Sequence, residues 1–230
     1  MELKNINEIL IDLILSEDDD ENIIMLNNML INGLDPNISF SFDENGLRKT
    51  FLEYCCRFNK IGYVNLLIKN NVNLEVFSED GETPLHILSY SILENESNID
   101  ENKVYELIIK KIKHLINHRD KDGRTALMLA VKSGAKNKID LLIKNGAKIN
   151  LLDNFKNNCL HYIFLENNPI NLQMKILDIL INYGANPLQV NEANMTPIDN
   201  YLILHPALSS TAFSKVIDTQ KYEKVKNSMM

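Results

Sequence analysis

One short pattern recurs along this 230-residue chain. Such recurrence constrains the fold more than any other feature here, because each copy is a small supersecondary unit that cannot bury its own apolar face. Thr50-Phe51-Leu52-Glu53, Thr83-Pro84-Leu85-His86, Thr125-Ala126-Leu127-Met128, Asn158-Cys159-Leu160-His161 and Thr196-Pro197-Ile198-Asp199 begin 33, 42, 33 and 38 positions apart. The basic period is therefore 33. The two longer gaps mark insertions, near Ser89 to Asn102 and Glu166 to Asn171, which the spacing places between the two helices of a unit.

Two further landmarks keep step with the first. Apolar runs end at a turn residue in Met29-Leu30-Ile31-Asn32-Gly33, Leu66-Leu67-Ile68-Lys69-Asn70, Leu141-Leu142-Ile143-Lys144-Asn145-Gly146 and Ile179-Leu180-Ile181-Asn182-Tyr183-Gly184. Glycine after such a run suits a left-handed helix end, which strains any residue with a side chain. At the other end of the unit, Thr83 before Pro84 and Thr196 before Pro197 read as helix starts, since a hydroxyl can cap free N–H groups and proline tolerates the first helical position. The polar stretches Asn117 to Gly123 and Asn150 to Asp153 reverse the chain between units.

Together these landmarks resemble the ankyrin repeat, in which D-x-x-G-x-T-P-L-H opens a short helix, a second helix ends L-L-x-x-G-A, and a finger ends V-N. The resemblance spans about residues 25 to 205. It implies an all-α ankyrin-repeat solenoid of about five to six helix-turn-helix repeats with short β-hairpin-like fingers. It further implies an N-terminal capping repeat over residues 1–37, central repeats over 38–188, and a divergent C-terminal repeat with a frayed tail over 189–230. Acidic residues Asp18 to Glu21 crowd the first unit, and alternating charges between Tyr222 and Lys226 mark the last, as polar caps require. In this family the histidine at the positions of His86 and His161 bonds a neighbouring loop. Glu53, Met128 and Asp199 replace it elsewhere, so weaker interlocking is expected there.

Composition narrows the function. The formal net charge of -7 disfavours nucleic acid, whose binding relies on dense Lys and Arg. No apolar run approaches the roughly 18 residues of a membrane span, and the interrupted start at Leu3 to Leu15 does not read as a signal peptide. Cys55, Cys56 and Cys159 form neither a disulfide framework nor a metal knuckle, so a reducing, cytoplasmic setting is expected. The bias toward Asn and Ile suggests a microbial source, and with it a translocated effector working in host cytosol.

The chemistry-bearing residues point away from catalysis. Cys159 and His161 stand two apart, whereas nucleophilic catalysis needs a base aimed at the nucleophile. His114 and His118 have a helical metal-ligand spacing but no third ligand type nearby. Asp120-Lys121-Asp122-Gly123 opens like a calcium loop, yet its twelfth position falls on Val131 where a bidentate Glu is required. No phosphate loop or dinucleotide fingerprint occurs. No catalytic residue, cofactor or metal is expected.

What remains is display. The finger positions Val76 and Phe77, His118 and Arg119, Leu151 and Leu152, and Gln189 and Val190 are more apolar than a solvated turn favours, and Phe155 adds an aromatic beside Leu151. Clustered exposed apolar groups mark interaction surfaces. The expected function is therefore a monomeric, non-enzymatic module that binds a partner protein through its concave, finger-lined face. The competing readings are that the fingers bury these groups against each other, or that an unrecognised active site sits on the insertions or the last unit.

Overall fold

The computed structural model describes residues 5–16, 20–42, 46–90, 99–166 and 168–204. Helices come in pairs: α1 (Ile6–Leu15) with α2 (Asp20–Ile31), α3 (Phe51–Arg57) with α4 (Ile61–Lys69), α5 (Pro84–Tyr90) with α6 (Ile99–Lys111), and α7 (Ala126–Lys132) with α8 (Lys136–Lys144). A 3-10 turn, Cys159–Tyr162, pairs with α9 (Ile170–Asn182), and α10 (Pro197–Leu204) follows. The first helices of successive pairs pack side by side, α1 on α3, α3 on α5, α5 on α7, α7 on the 3-10 turn and that turn on α10. The second helices form a parallel layer in which α2 meets α4, α4 meets α6 and α6 meets α8. The core is the elongated seam between the layers, filled by residues such as Leu52, Tyr63, Leu67, Leu85, Ile108, Leu127, Leu142, Leu160 and Leu180. This is the stacked all-α solenoid that the repeat demands.

At four of the five recurring starts the Thr or Asn caps its helix. Thr50 accepts from the N–H of Glu53 at 3.1 Å, Thr125 from Met128 at 3.4 Å, Asn158 from Leu160 at 3.1 Å, and Thr196 from Asp199 at 3.3 Å. Each such cap is worth about 1 kcal/mol. At the far end, Gly146 and Gly184 adopt φ of 102° and 85°, and Asn71 takes the same left-handed position at 58°. Asparagine tolerates that region better than other side chains.

Three expectations change. Part of each insertion is helix: Ile99 to Asn102 open α6, and Ile170 and Asn171 open α9. The carboxylate of Glu101 suits a helix N-terminus, where the free N–H groups point outward. Residues 91–98 and 167 lie outside the described residues. The fingers, secondly, are mostly not strand pairs. Only β1 (Ser39–Phe40) and β2 (Lys49–Thr50) form an antiparallel ladder among the described residues. The later fingers are too short for one. Thirdly, His114 and His118 do not share an α-helix, because α6 ends at Lys111 and a 3-10 turn holds His114. His114 pairs with Glu75 at 3.3 Å. The tail after residue 204, with Ile217, Tyr222 and Lys226, lies outside the described residues, as do Asp18 and Asp19.

Candidate functional site

Each of the four later fingers is a five-residue turn closed by one backbone bond and one side chain. The N–H of Ser78, Asp120, Asp153 and Asn191 donates to the carbonyl of Glu82, Arg124, Asn157 and Met195, at 2.9, 3.0, 2.9 and 3.0 Å. The side chain of that first residue then turns inward. Asp153 accepts from the N–H groups of Phe155 and Asn157, both at 2.8 Å, and from the Tyr162 hydroxyl at 2.6 Å. Burial, with the Asp153 bond next, pushes the Tyr162 phenol above its ordinary range. Asp120 accepts from the N–H of Asp122 and Arg124 and takes the Arg124 guanidinium at 2.7 Å. Its oxygens are committed to the turn and to Arg124, so the calcium-like start of this segment closes a finger.

The finger tips are stitched together. The N–H of Lys121 donates to Asp80 at 2.7 Å, that of Asn154 to Asp122 at 2.9 Å, and that of Glu192 to Phe155 at 2.9 Å. Four consecutive fingers thus form one connected row. Beneath it runs an asparagine ladder at the last landmark position. Asn37 accepts from the N–H of Asn73 at 2.7 Å, Asn117 from Lys148 at 2.7 Å, and Asn150 from Asn186 at 2.8 Å.

The histidines interlock units as the resemblance implied. His86 Nδ1 accepts from the N–H of Thr83 at 3.3 Å, which leaves the proton on Nε2 to reach the Arg124 carbonyl at 3.2 Å. His161 repeats this with Asn158 and the Met195 carbonyl, at 3.2 Å each. Burial lowers both imidazole pKa values. Cys159 does not face His161: its thiol donates to the Ile149 carbonyl at 3.3 Å, and burial pushes its pKa up to about 12. The pair is not a nucleophile and base.

Where Glu53 replaces histidine, the junction is not left weaker by default. Arg57 bonds Glu53 at 3.0 Å on its own helix and Glu82 at 2.8 Å in the next finger. Charge bridges the units there. Met128, by contrast, only receives the N–H of its own cap residue Thr125, at 3.4 Å. Asp199 accepts from the Thr196 hydroxyl at 2.7 Å and its N–H at 2.8 Å, bonds that depress its pKa. Nothing in the local pattern announces the Arg57–Glu82 link, because its partners lie 25 residues apart and meet only on stacking.

The nine finger residues divide into exposed and inward groups. Phe155 is 58% exposed, Phe77 50% and Val190 43%, and Arg119 also faces solvent. Val76 and Leu151 pack against the core. Leu152, His118 and Gln189 are half-buried. His118 lies 4.8 Å from the Phe77 ring and 3.1 Å from the Gly81 carbonyl, so it props the aromatic of the preceding finger. Arg119 bonds the Gly123 carbonyl at 3.0 Å and Asn154 at 3.2 Å. Gln189 donates to the Val190 carbonyl at 2.8 Å. A second exposed cluster went unnoticed in the sequence: Tyr90 donates to Glu166 at 3.1 Å beneath Lys132, whose ammonium sits 5.0 Å from the ring and 3.4 Å from Glu166.

Residues 93–191 match the family model of ankyrin repeats, in three copies. The chain is 23% identical over 150 residues to the human neurogenic locus notch homolog protein 1, covering 65% of this chain and 5% of that protein. It is 28% identical over 155 residues to an ankyrin repeat protein of fowlpox virus (strain NVSL), covering 66% and 43%. It is 34% identical over 106 residues to the human transient receptor potential cation channel subfamily A member 1, covering 46% and 9%. The chain thus spans a small part of the Notch and channel relatives and under half of the viral one. No helix among the described residues is long and apolar enough to cross a membrane. Repeats of this kind act as protein-interaction modules and typically lack catalysis. The capped helix pairs, the interlocking histidines and the matched family model agree that residues 93–191 are built of ankyrin repeats.

Proposed function

We propose that this chain is a non-enzymatic binding module that engages a partner protein through its finger-lined face, with Phe155 as the anchor. One observation carries the reading. The Phe155 ring is 58% exposed, while its backbone is held on both sides, its N–H by Asp153 at 2.8 Å and its carbonyl by Glu192 at 2.9 Å. A rigidly mounted, exposed aromatic loses little freedom on binding, which favours affinity. Phe77, Arg119, Leu152 and Val190 extend the surface to either side, and Val76, His118, Leu151 and Gln189 support it from below.

The same reading takes residues 1–37 and 189–230 as end units around the central repeats 38–188, and the chain as a monomer. The viral relative and the Asn and Ile bias favour an effector acting in a host cytosol.

Capture from host-cell lysate, identified by mass spectrometry with wild-type chain and with Phe155→Asp, tests the proposal. A charge placed in a desolvated contact costs several kcal/mol, whereas one left in water costs little. Capture of the identified partner should fall at least about tenfold, equivalent to about 1.4 kcal/mol, while helical circular dichroism and melting temperature stay near wild type. Undiminished capture by the folded variant overturns the assignment of Phe155. Leu151 is unsuitable for this test, because it packs against the core.

A further inference from the structure

At the other edge of the molecule, the pair α1 and α2 leaves apolar side chains in water. Ile31 is 70% exposed, Leu15 65% and Ile24 59%, with Ile6 and Met25 also exposed. On α2, Ile24, Asn28 and Ile31 follow a spacing of four and three, so they share one helix face. Leu26 and Leu30 are buried on the side of α2 that meets the second unit. Asp20 and Glu21 stand one turn before Ile24 and Met25 and are exposed. On α1, exposed Glu8, Asp12 and Leu15 repeat the spacing.

The sequence sets this face apart electrostatically as well. Residues 5 to 47 contain ten Asp and Glu and no Lys or Arg, whereas residues 48 to 230 contain twenty-three Lys and Arg against twenty Asp and Glu. The negative charge of the chain is therefore concentrated in this first stretch of sequence, from which Glu8, Asp12, Asp20 and Glu21 are exposed on α1 and α2. A stretch of apolar side chains inside an acidic field selects among occupants. Anionic lipid and nucleic acid are repelled, and a second copy would set the same carboxylates against each other.

We propose that the outer face of α1 and α2 docks a basic amphipathic helix of a partner protein. Its apolar stripe lies along Ile24, Met25 and Ile31, and its Lys and Arg pair with Glu8, Asp12, Asp20 and Glu21. This is the familiar geometry of an amphipathic helix on an apolar strip, read by anchors at helical spacing. The site is independent of the fingers.

The test uses the full chain and two fluorescein-labelled 18-residue amphipathic helices, one of Leu and Lys and one of Leu and Glu with the same apolar face, followed by anisotropy at low and high salt. The Leu and Lys peptide should bind, weaken with salt, and exceed its acidic twin at least tenfold. Ile24→Ser with Ile31→Ser, and separately Asp20→Lys with Glu21→Lys, should each weaken it at least tenfold. Phe155→Asp should leave it unchanged. Because the substituted side chains are exposed, circular dichroism should match wild type, and the charge-reversal pair stands as an independent variant. Equal binding of the two peptides, or affinity indifferent to both double variants, overturns the proposal. So does a wild-type dimer in sedimentation that the Ile24→Ser and Ile31→Ser variant dissociates, since a second copy would then own the face.

Discussion

Lys138 Nζ lies 2.6 Å from Glu101 Oε1, and the side chains are only 5% and 2% exposed. The contact joins α8 to the first turns of α6 and so ties the fourth unit to the third. Lys138 also donates to the Leu88 carbonyl and lies 5.8 Å from the centre of the Tyr105 ring. The Tyr105 hydroxyl sits 2.5 Å from Ser89 Oγ, and Ser133 donates to the Ser89 carbonyl at 2.7 Å. Where the third unit carries its insertion, a buried polar network thus locks the neighbouring helices together. Burial lowers the Lys138 pKa, with the Glu101 contact opposing it.

Removing one partner of this pair should cost far more than removing both. Glu101→Leu leaves a buried ammonium without its carboxylate, and losses of about 3–5 kcal/mol are typical of that change. Glu101→Leu with Lys138→Met should recover most of it. Urea unfolding measures both, and a single-variant loss below about 1 kcal/mol would show that the pair is solvated in solution.

Gly123→Ala should destabilise more than Gly146→Ala, although both glycines have positive φ, 79° and 102°. A Cβ on Gly123 would lie 2.4 Å from Asn154 Oδ1 and 2.7 Å from the Asn154 backbone nitrogen, so the stitched finger tips must part. A Cβ on Gly146 meets nothing within 4 Å and suffers only the backbone strain. Left-handed strain costs on the order of 1–2 kcal/mol, and Gly123→Ala should exceed that in thermal or urea melts. Equal losses would remove the role given to finger contact.

Stability should fall on mild acidification. Burial lowers the pKa of His86 and His161 below the ordinary imidazole value of about 6.5, so between the folded and unfolded values the unfolded chain binds more protons. The contribution of these neutral imidazoles is complete above pH 6.5 and is lost progressively as the pH falls from there to the folded values. His86→Gln should flatten that slope in melts taken from pH 7.5 downward, even if it lowers stability throughout. A wild-type slope persisting unchanged in the variant would exclude His86 as its source.

The thiols should be silent in the native state. Cys55, Cys56 and Cys159 are free and buried, and burial pushes the Cys56 and Cys159 pKa values up to about 12. Since the thiolate is the reactive form, a thiol reagent at pH 8 should react slowly with native protein and with all three cysteines once it is denatured. Rapid native labelling would mean that the first helices open readily.

The sequence by itself determined what depends on near neighbours. Thr50, Thr125 and Thr196 cap the residues three positions on, Gly146 and Gly184 end the second helices in left-handed backbone, and the 33-residue period requires stacking. These are short-range consequences of side-chain chemistry, so a linear pattern carries them. The same holds for the finger positions, although not for their exposure. Leu151 and Phe155 are four residues apart in one apolar cluster, yet Leu151 turns onto the core and Phe155 into solvent. The Phe155 carbonyl meanwhile accepts from Glu192 of the next unit, a contact that exists only once the units have stacked. Tertiary structure likewise decided that Arg57 reaches Glu82, that Glu101 in an apparent loop begins a helix and meets Lys138, and that Ile24 and Ile31 stay uncovered. Each outcome rests on which surfaces neighbouring units bring together, and the chain specifies that only once the helices have stacked.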